Sequence, residues 1–134
     1  MTDRGLRHIV HVRVFVPAAL WDASVKFYAE TLELALSVRD DRHGYAIFEF
    51  PYGPTLGVEI DAPEPGEPPA SGTFTAFSFL VDDVDRVYRD LVARGVRFVE
   101  PPDTRFWGGR LADFADPAGN VMTLVQYPKS RPAS

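Results

Sequence analysis

The chain has 134 residues, 46% of them hydrophobic and 13% aromatic, which is enough for one ordinary domain or two small units sharing a core. It has no cysteine, so disulfides, thiolate metal sites and cysteine nucleophiles are excluded. The net charge of −5 and the scattered arginines give no basic stripe for nucleic acid, and no apolar run approaches the roughly 18 residues of a membrane span. The opening Met1-Thr2-Asp3-Arg4-Gly5 is too polar for a signal peptide, so the expectation is a cytoplasmic protein with neither membrane nor nucleic-acid partners.

In chain order, Ile9 to Val16 alternates as a strand, with His11, Arg13 and Phe15 on one face and Val12, Val14 and Val16 on the other. Pro17 is expected to end it. Trp21, Val25, Tyr28 and Leu32 then recur with the spacing of one buried helical stripe. Three short strands are predicted at 34–38, 45–50 and 55–60, separated by turns at Arg42-His43-Gly44 and Pro51-Tyr52-Gly53-Pro54.

Residues 62–72 carry four prolines and two glutamates and read as an extended linker. Beyond it, 73–81 is a strand, and Asp82 is the expected cap of a second helix whose buried stripe is Val84, Val87, Tyr88, Leu91 and Val92. Gly95 stops that helix. Strands follow at 97–99, 110–115 and 121–127, the last two joined by the turn Asp116-Pro117-Ala118-Gly119-Asn120. The order is strand, helix, three strands, twice over. The expectation is one α+β domain over 1–134, with a first βαβββ module at 8–61, the linker at 62–72 and a second βαβββ module at 73–127.

The halves also echo each other residue by residue. His11-Val12-Arg13-Val14-Phe15-Val16 matches Ala76-Phe77-Ser78-Phe79-Leu80-Val81, and Leu56-Gly57-Val58-Glu59-Ile60 matches Asn120-Val121-Met122-Thr123-Leu124. Such a repeat suggests a pseudo-twofold fold with a cleft at which His11, Glu59, Ala76 and Thr123 converge.

The pieces His11-Val12-x-Val14-Phe15-Val16-Pro17, Ser24-Val25-Lys26-Phe27-Tyr28, Trp107-Gly108-Gly109-Arg110 and Asp116-Pro117-Ala118-Gly119-Asn120, in this order, resemble the vicinal oxygen chelate superfamily over residues 8–127. That superfamily groups glyoxalase I, the bleomycin and fosfomycin resistance proteins and extradiol dioxygenases. The resemblance implies two paired βαβββ modules forming one half-open, barrel-like cleft, commonly in a homodimer. In the metal-dependent members, ligands come from the first and last strands of each module. Those places are held here by His11, Glu59, Ala76 and Thr123, and the last two cannot ligate as histidine or carboxylate would.

His11 and Glu59 alone fall short of the three protein ligands that catalytic zinc or a facial-triad iron needs. His8 points to the opposite strand face, and His43 lies in a turn. No cofactor is therefore expected; a divalent metal, if present, would sit on His11 and Glu59. Otherwise the two form a hydrogen-bonded polar pair. Arg13 is either an internal partner of Glu59 or a clamp for a ligand anion. Phe106-Trp107-Gly108-Gly109-Arg110 offers aromatics that could stack on a flat ligand or simply cover the barrel mouth. Phe15, Ser78, Thr123 and Tyr127 could line the floor. Trp21 reads as core or dimer contact.

The function reading is a protein that binds a small organic ligand in a metal-free cleft through His11, Arg13, Phe15, Glu59, Ser78, Trp107, Arg110, Thr123 and Tyr127, for sequestration or resistance. The alternatives are a metal-assisted lyase, isomerase or dioxygenase with Glu59 as general base, or a module with a vestigial cleft whose role is association with a partner.

Overall fold

The computed structural model describes residues 4–129. The polar start Met1–Asp3, read above as no signal peptide, lies outside them, as do the ends of the 1–134 domain span. The chain divides into two compact units, Met1–Pro69 and Ala70–Ser134, with the boundary inside the proline-rich segment.

The first unit runs β1 (His11–Pro17), a single 3-10 turn (Ala18–Leu20), α1 (Trp21–Lys26) continued by a π-helical turn (Phe27–Thr31), β2 (Ala35–Asp40), β3 (Tyr45–Glu49) and β4 (Thr55–Asp61). Its sheet has the order β1-β4-β3-β2, with β1 and β4 parallel and the remaining pairs antiparallel. The second unit repeats the plan with β5 (Phe74–Leu80), α2 (Val84–Ala93), β6 (Arg97–Thr104), β7 (Arg110–Ala115) and β8 (Val121–Gln126), in the order β5-β8-β7-β6. Each unit is thus a βαβββ module with one open, four-stranded mixed sheet and a helix on one face, which is an α+β fold. Among the described residues no helix is long and apolar enough to cross a membrane.

Period-two alternation explains which face meets the helix. In the first sheet Val14, Val16, Ala46, Phe48, Leu56 and Val58 are buried, and Tyr28 packs on Phe48 with ring centroids 5.9 Å apart. Trp21, Val25 and Tyr28 are buried as their spacing predicts, while Leu32 is only half-buried. In the second sheet Phe114 stacks on Phe79 and touches Phe98, which meets Tyr88 of α2 edge-on at 4.6 Å. His11, Arg13, Phe15 and Glu59, and likewise Ser78, Asp113 and Thr123, therefore lie on the helix-free faces.

Several expectations change. Asp83, not Asp82, caps α2, accepting a hydrogen bond from the Arg86 amide. Val92 is exposed rather than part of the buried stripe. Gly95 does end the helix, with φ +89. β6 runs on through Pro101 and Pro102, which an edge strand tolerates where its ladder slips. The turn 116–120 is a structural knot. Asp116 Oδ1 accepts from the Ala118 and Asn120 amides, both at 2.9 Å, and the Asn120 side chain accepts from Gly72 and Thr73, fastening the chain as it enters β5.

Candidate functional site

On the first helix-free face, β1 and β4 lie side by side with His11 opposite Thr55, Arg13 opposite Gly57 and Phe15 opposite Glu59. Gly57 is where a side chain is least welcome: a Cβ there would come within 2.6 Å of His11 Nε2, so the imidazole lies across the glycine. His11 Nδ1 is 2.6 Å from the Thr55 hydroxyl, which itself donates to the Val10 carbonyl. Arg13 donates to Glu59 at 3.4 Å, and its guanidinium sits 5.6 Å from the Phe15 ring centroid.

This geometry alters the sequence reading of His11 and Glu59. They are separated by four ladder positions, about 13 Å of strand, so they neither bond to each other nor share an ion. Glu59 is engaged by Arg13 instead. Within each unit, among the described residues, no three His, Asp or Glu side chains gather to hold a metal. Of the two readings of Arg13, the structure shows the contact with Glu59, in which half of the arginine side chain remains exposed.

The second helix-free face is built differently. Thr123 donates its hydroxyl to Asp113 Oδ1 at 2.6 Å, with Ser78 beside Thr123 on β5. Trp107, in the loop before β7, meets Tyr127 just past β8 with ring centroids 5.9 Å apart. Gly109 makes this contact sterically allowed, since a Cβ there would collide with the Trp107 ring. Leu80 is exposed on the same face.

Arg110 belongs elsewhere. It lies on the helix side of its sheet and grips Asp85 in the first turn of α2 with two hydrogen bonds, at 2.8 and 2.9 Å, and donates to Thr104 at 2.9 Å. Arg110 holds the Asp85 carboxyl below its ordinary range, chiefly through those hydrogen bonds. An arginine so occupied is a brace between helix and sheet, not a ligand clamp. Trp21 is likewise structural. It is buried, donates to Asp41 at 2.9 Å and packs beneath Arg39, which also bonds Asp22.

The repeat also needs correction. Aligning Val14 with Phe79 sets Val58 against Leu124, because these pairs lie opposite each other in the two ladders. Glu59 then matches Val125, and Thr123 falls level with Gly57. Ala76 is not level with His11 in its ladder either. It lies in a register slip between Phe74 and Ser78, with a left-handed φ of +67. Sequence reasoning missed Asp113 altogether, although its place between Ala112 and Phe114, both buried on the opposite side of β7, carries the signal.

Comparison with known proteins agrees with this architecture. The family model of the Glyoxalase/Bleomycin resistance protein/Dioxygenase superfamily matches residues 8–124. YraH of Bacillus subtilis (strain 168), an uncharacterized protein, is 35% identical over 113 residues, spanning 77% of this chain and 87% of its own. TnmS3, an antibiotic binding protein from Streptomyces sp. CB03234, superposes with a TM-score of 0.71 at 29% identity, covering 93% of this chain and 99% of that one. A lactoylglutathione lyase from Agrobacterium tumefaciens shares the fold, with a TM-score of 0.69 at 18% identity over 88% of this chain and 92% of that one. With two βαβββ units in the expected order and a match over nearly all of both, this chain belongs to the Glyoxalase/Bleomycin resistance protein/Dioxygenase superfamily.

Proposed function

We propose that this protein binds a small, flat organic ligand on the helix-free sheet face of its second unit, without a metal and without turnover. The observation that carries the reading is the state of the groups on the two helix-free faces. Glu59, the candidate base, is engaged by a cation and lies far along the strand from His11, while Trp107, Tyr127 and Leu80 present apolar surface to solvent. An acid–base catalyst needs its base within reach of the proton it moves and free to take it. A binding protein needs shape, aromatic surface and a few placed polar groups. On the face of the second unit Ser78 supplies a hydroxyl and Trp107 and Tyr127 a stacking surface; on that of the first unit, taken by itself, Arg13 and Phe15 set a cation beside an aromatic ring. The similarity to an antibiotic binding protein supports the same reading. In this reading the protein acts in the cytoplasm as a homodimer, which sedimentation equilibrium tests by returning twice the chain mass.

The experiment is a titration with a panel of planar aromatic compounds, followed by tryptophan fluorescence. Trp21 is 7% exposed and Trp107 42%, so a ligand on the proposed surface quenches Trp107. Saturable binding is expected, unchanged by EDTA, with the ligand recovered intact and affinity about 10-fold weaker in Trp107→Ala. Affinity lost on chelation and restored by one divalent cation, or chemical conversion of the ligand, would overturn the reading.

A further inference from the structure

Asp113 is the polar group on the second face whose charge is least accounted for. It is half-buried on β7, flanked along its strand by Leu111 and Ala115. Its hydrogen bond is from the Thr123 hydroxyl, a neutral donor, to Oδ1 alone. No arginine or lysine pairs with it among the described residues. Two other half-buried carboxylates are treated differently: Glu59 on β4 has Arg13, and Asp85 in the first turn of α2 has Arg110. A carboxylate partly withdrawn from water favours a cationic or strongly donating partner to restore the solvation it has lost. Here Thr123, itself almost fully buried, fixes the orientation of the carboxylate and leaves Oδ2 for such a partner.

The aromatic end of the same face fixes the distance. In the β7–β8 ladder Arg110 lies opposite Gln126, Leu111 opposite Val125 and Asp113 opposite Thr123. Tyr127 follows Gln126 and meets Trp107. From Thr123 on β8 to Tyr127 just past its end is four residues of extended chain, about 13 Å, and the side chains between them on this side are half-buried Leu111 and buried Val125. A ring stacked at Trp107 and Tyr127 is thus separated from the carboxylate by an apolar strip.

We propose that Asp113, positioned by Thr123, is a specificity residue that takes an ammonium group of the ligand. The ligand class is then a flat aromatic ring joined to a protonated amine by an apolar spacer of about 13 Å or slightly less. This inference rests on the binding function proposed above and adds a charge and a length to it.

Isothermal titration of the whole protein with two probes tests it. One is a naphthalene ring carrying a primary ammonium on an alkyl chain of matching reach; the other is its N-acetyl derivative, equal in ring and chain but uncharged. The ammonium probe is expected to bind more tightly than the acetylated one. In Asp113→Asn the ammonium probe should weaken by ~10- to 100-fold while the acetylated probe is unaffected. Asparagine still accepts from Thr123, so that variant should melt near wild type. Thr123→Val, which removes only the orienting hydroxyl, should weaken the ammonium probe by a smaller factor. Equal affinity of the two probes for wild type, or an Asp113→Asn variant that keeps the preference, overturns the role of Asp113 and leaves the binding function standing. If neither probe binds wild type, both fall. If Asp113→Asn does not fold, the wild-type comparison of the two probes decides alone.

Discussion

The two units have the same topology and use the same device to hold helix to sheet, yet their helix-free faces share almost no chemistry. In the first, Arg39 reaches Asp22 at the start of α1; in the second, Arg110 reaches Asp85 at the start of α2. The acids stand at corresponding points of the helices, but the arginines come from different strands, β2 and β7. Buried Phe48 and Phe114 also correspond, each opposite a buried residue of the last strand, Leu56 or Met122. On the other side the first unit carries an ion pair and a histidine laid over a glycine, and the second carries an aromatic pair and a carboxylate oriented by a hydroxyl. Helix packing constrains one face of each sheet in the same way twice. The free face is under no such constraint, so it is where the copies differ.

That comparison can be broken most severely at the shared core. Phe48→Ala and Phe114→Ala should each cost about 3–5 kcal/mol in chemical denaturation, since both rings are fully buried. A large loss for one and a small loss for the other would mean that the units do not share a packing plan. Next is Asn120→Ala, expected to cost about 2 kcal/mol, because it strips the Gly72 and Thr73 amides of their acceptor. The first unit has Pro54 at the matching place, so this clasp is particular to the second; an unchanged melting temperature would show that water replaces it.

Smaller effects separate the braces from the free face. Arg110 depresses the Asp85 carboxyl below its usual 3.8 by hydrogen bonding. A depressed carboxyl stabilises the fold above the unfolded value and loses that contribution as pH falls through the folded one. Arg110→Gln should therefore melt slightly below wild type at neutral pH, and the gap should close as the pH drops below 3.8. A gap independent of pH would mean that the arginine acts through packing alone. The smallest effect is expected for Arg13→Ala, about 0–1 kcal/mol, because the pair with Glu59 is long and solvent-exposed. A stability loss well above that would recast Arg13 as a structural residue.

Much of the scaffold was legible in the sequence. Period-two alternation and the helical stripe through Trp21, Val25 and Tyr28 place the elements, the proline-rich stretch marks the join, and Gly95 marks a helix end, because each is a local rule about backbone and side-chain direction. The aromatic loop was also visible, and Trp107 does meet Tyr127. What the sequence could not supply was register. Counting residues made Thr123 the counterpart of Glu59 and Ala76 that of His11, but strand pairing and the slip around Ala76 shift both correspondences. Partner choice was only partly in reach: Glu59 was one of the two readings of Arg13, whereas the partners of Arg110 and Thr123 were not visible. That Arg13 takes Glu59, that Arg110 is used up on Asp85 and that Thr123 aims Asp113 all depend on which strands adjoin and which face the helix covers. The sequence by itself determined two βαβββ modules and their polar vocabulary; the tertiary structure alone decided which of those groups meet, because hydrogen bonds and ion pairs form over a few ångströms between residues ten or more positions apart in the chain.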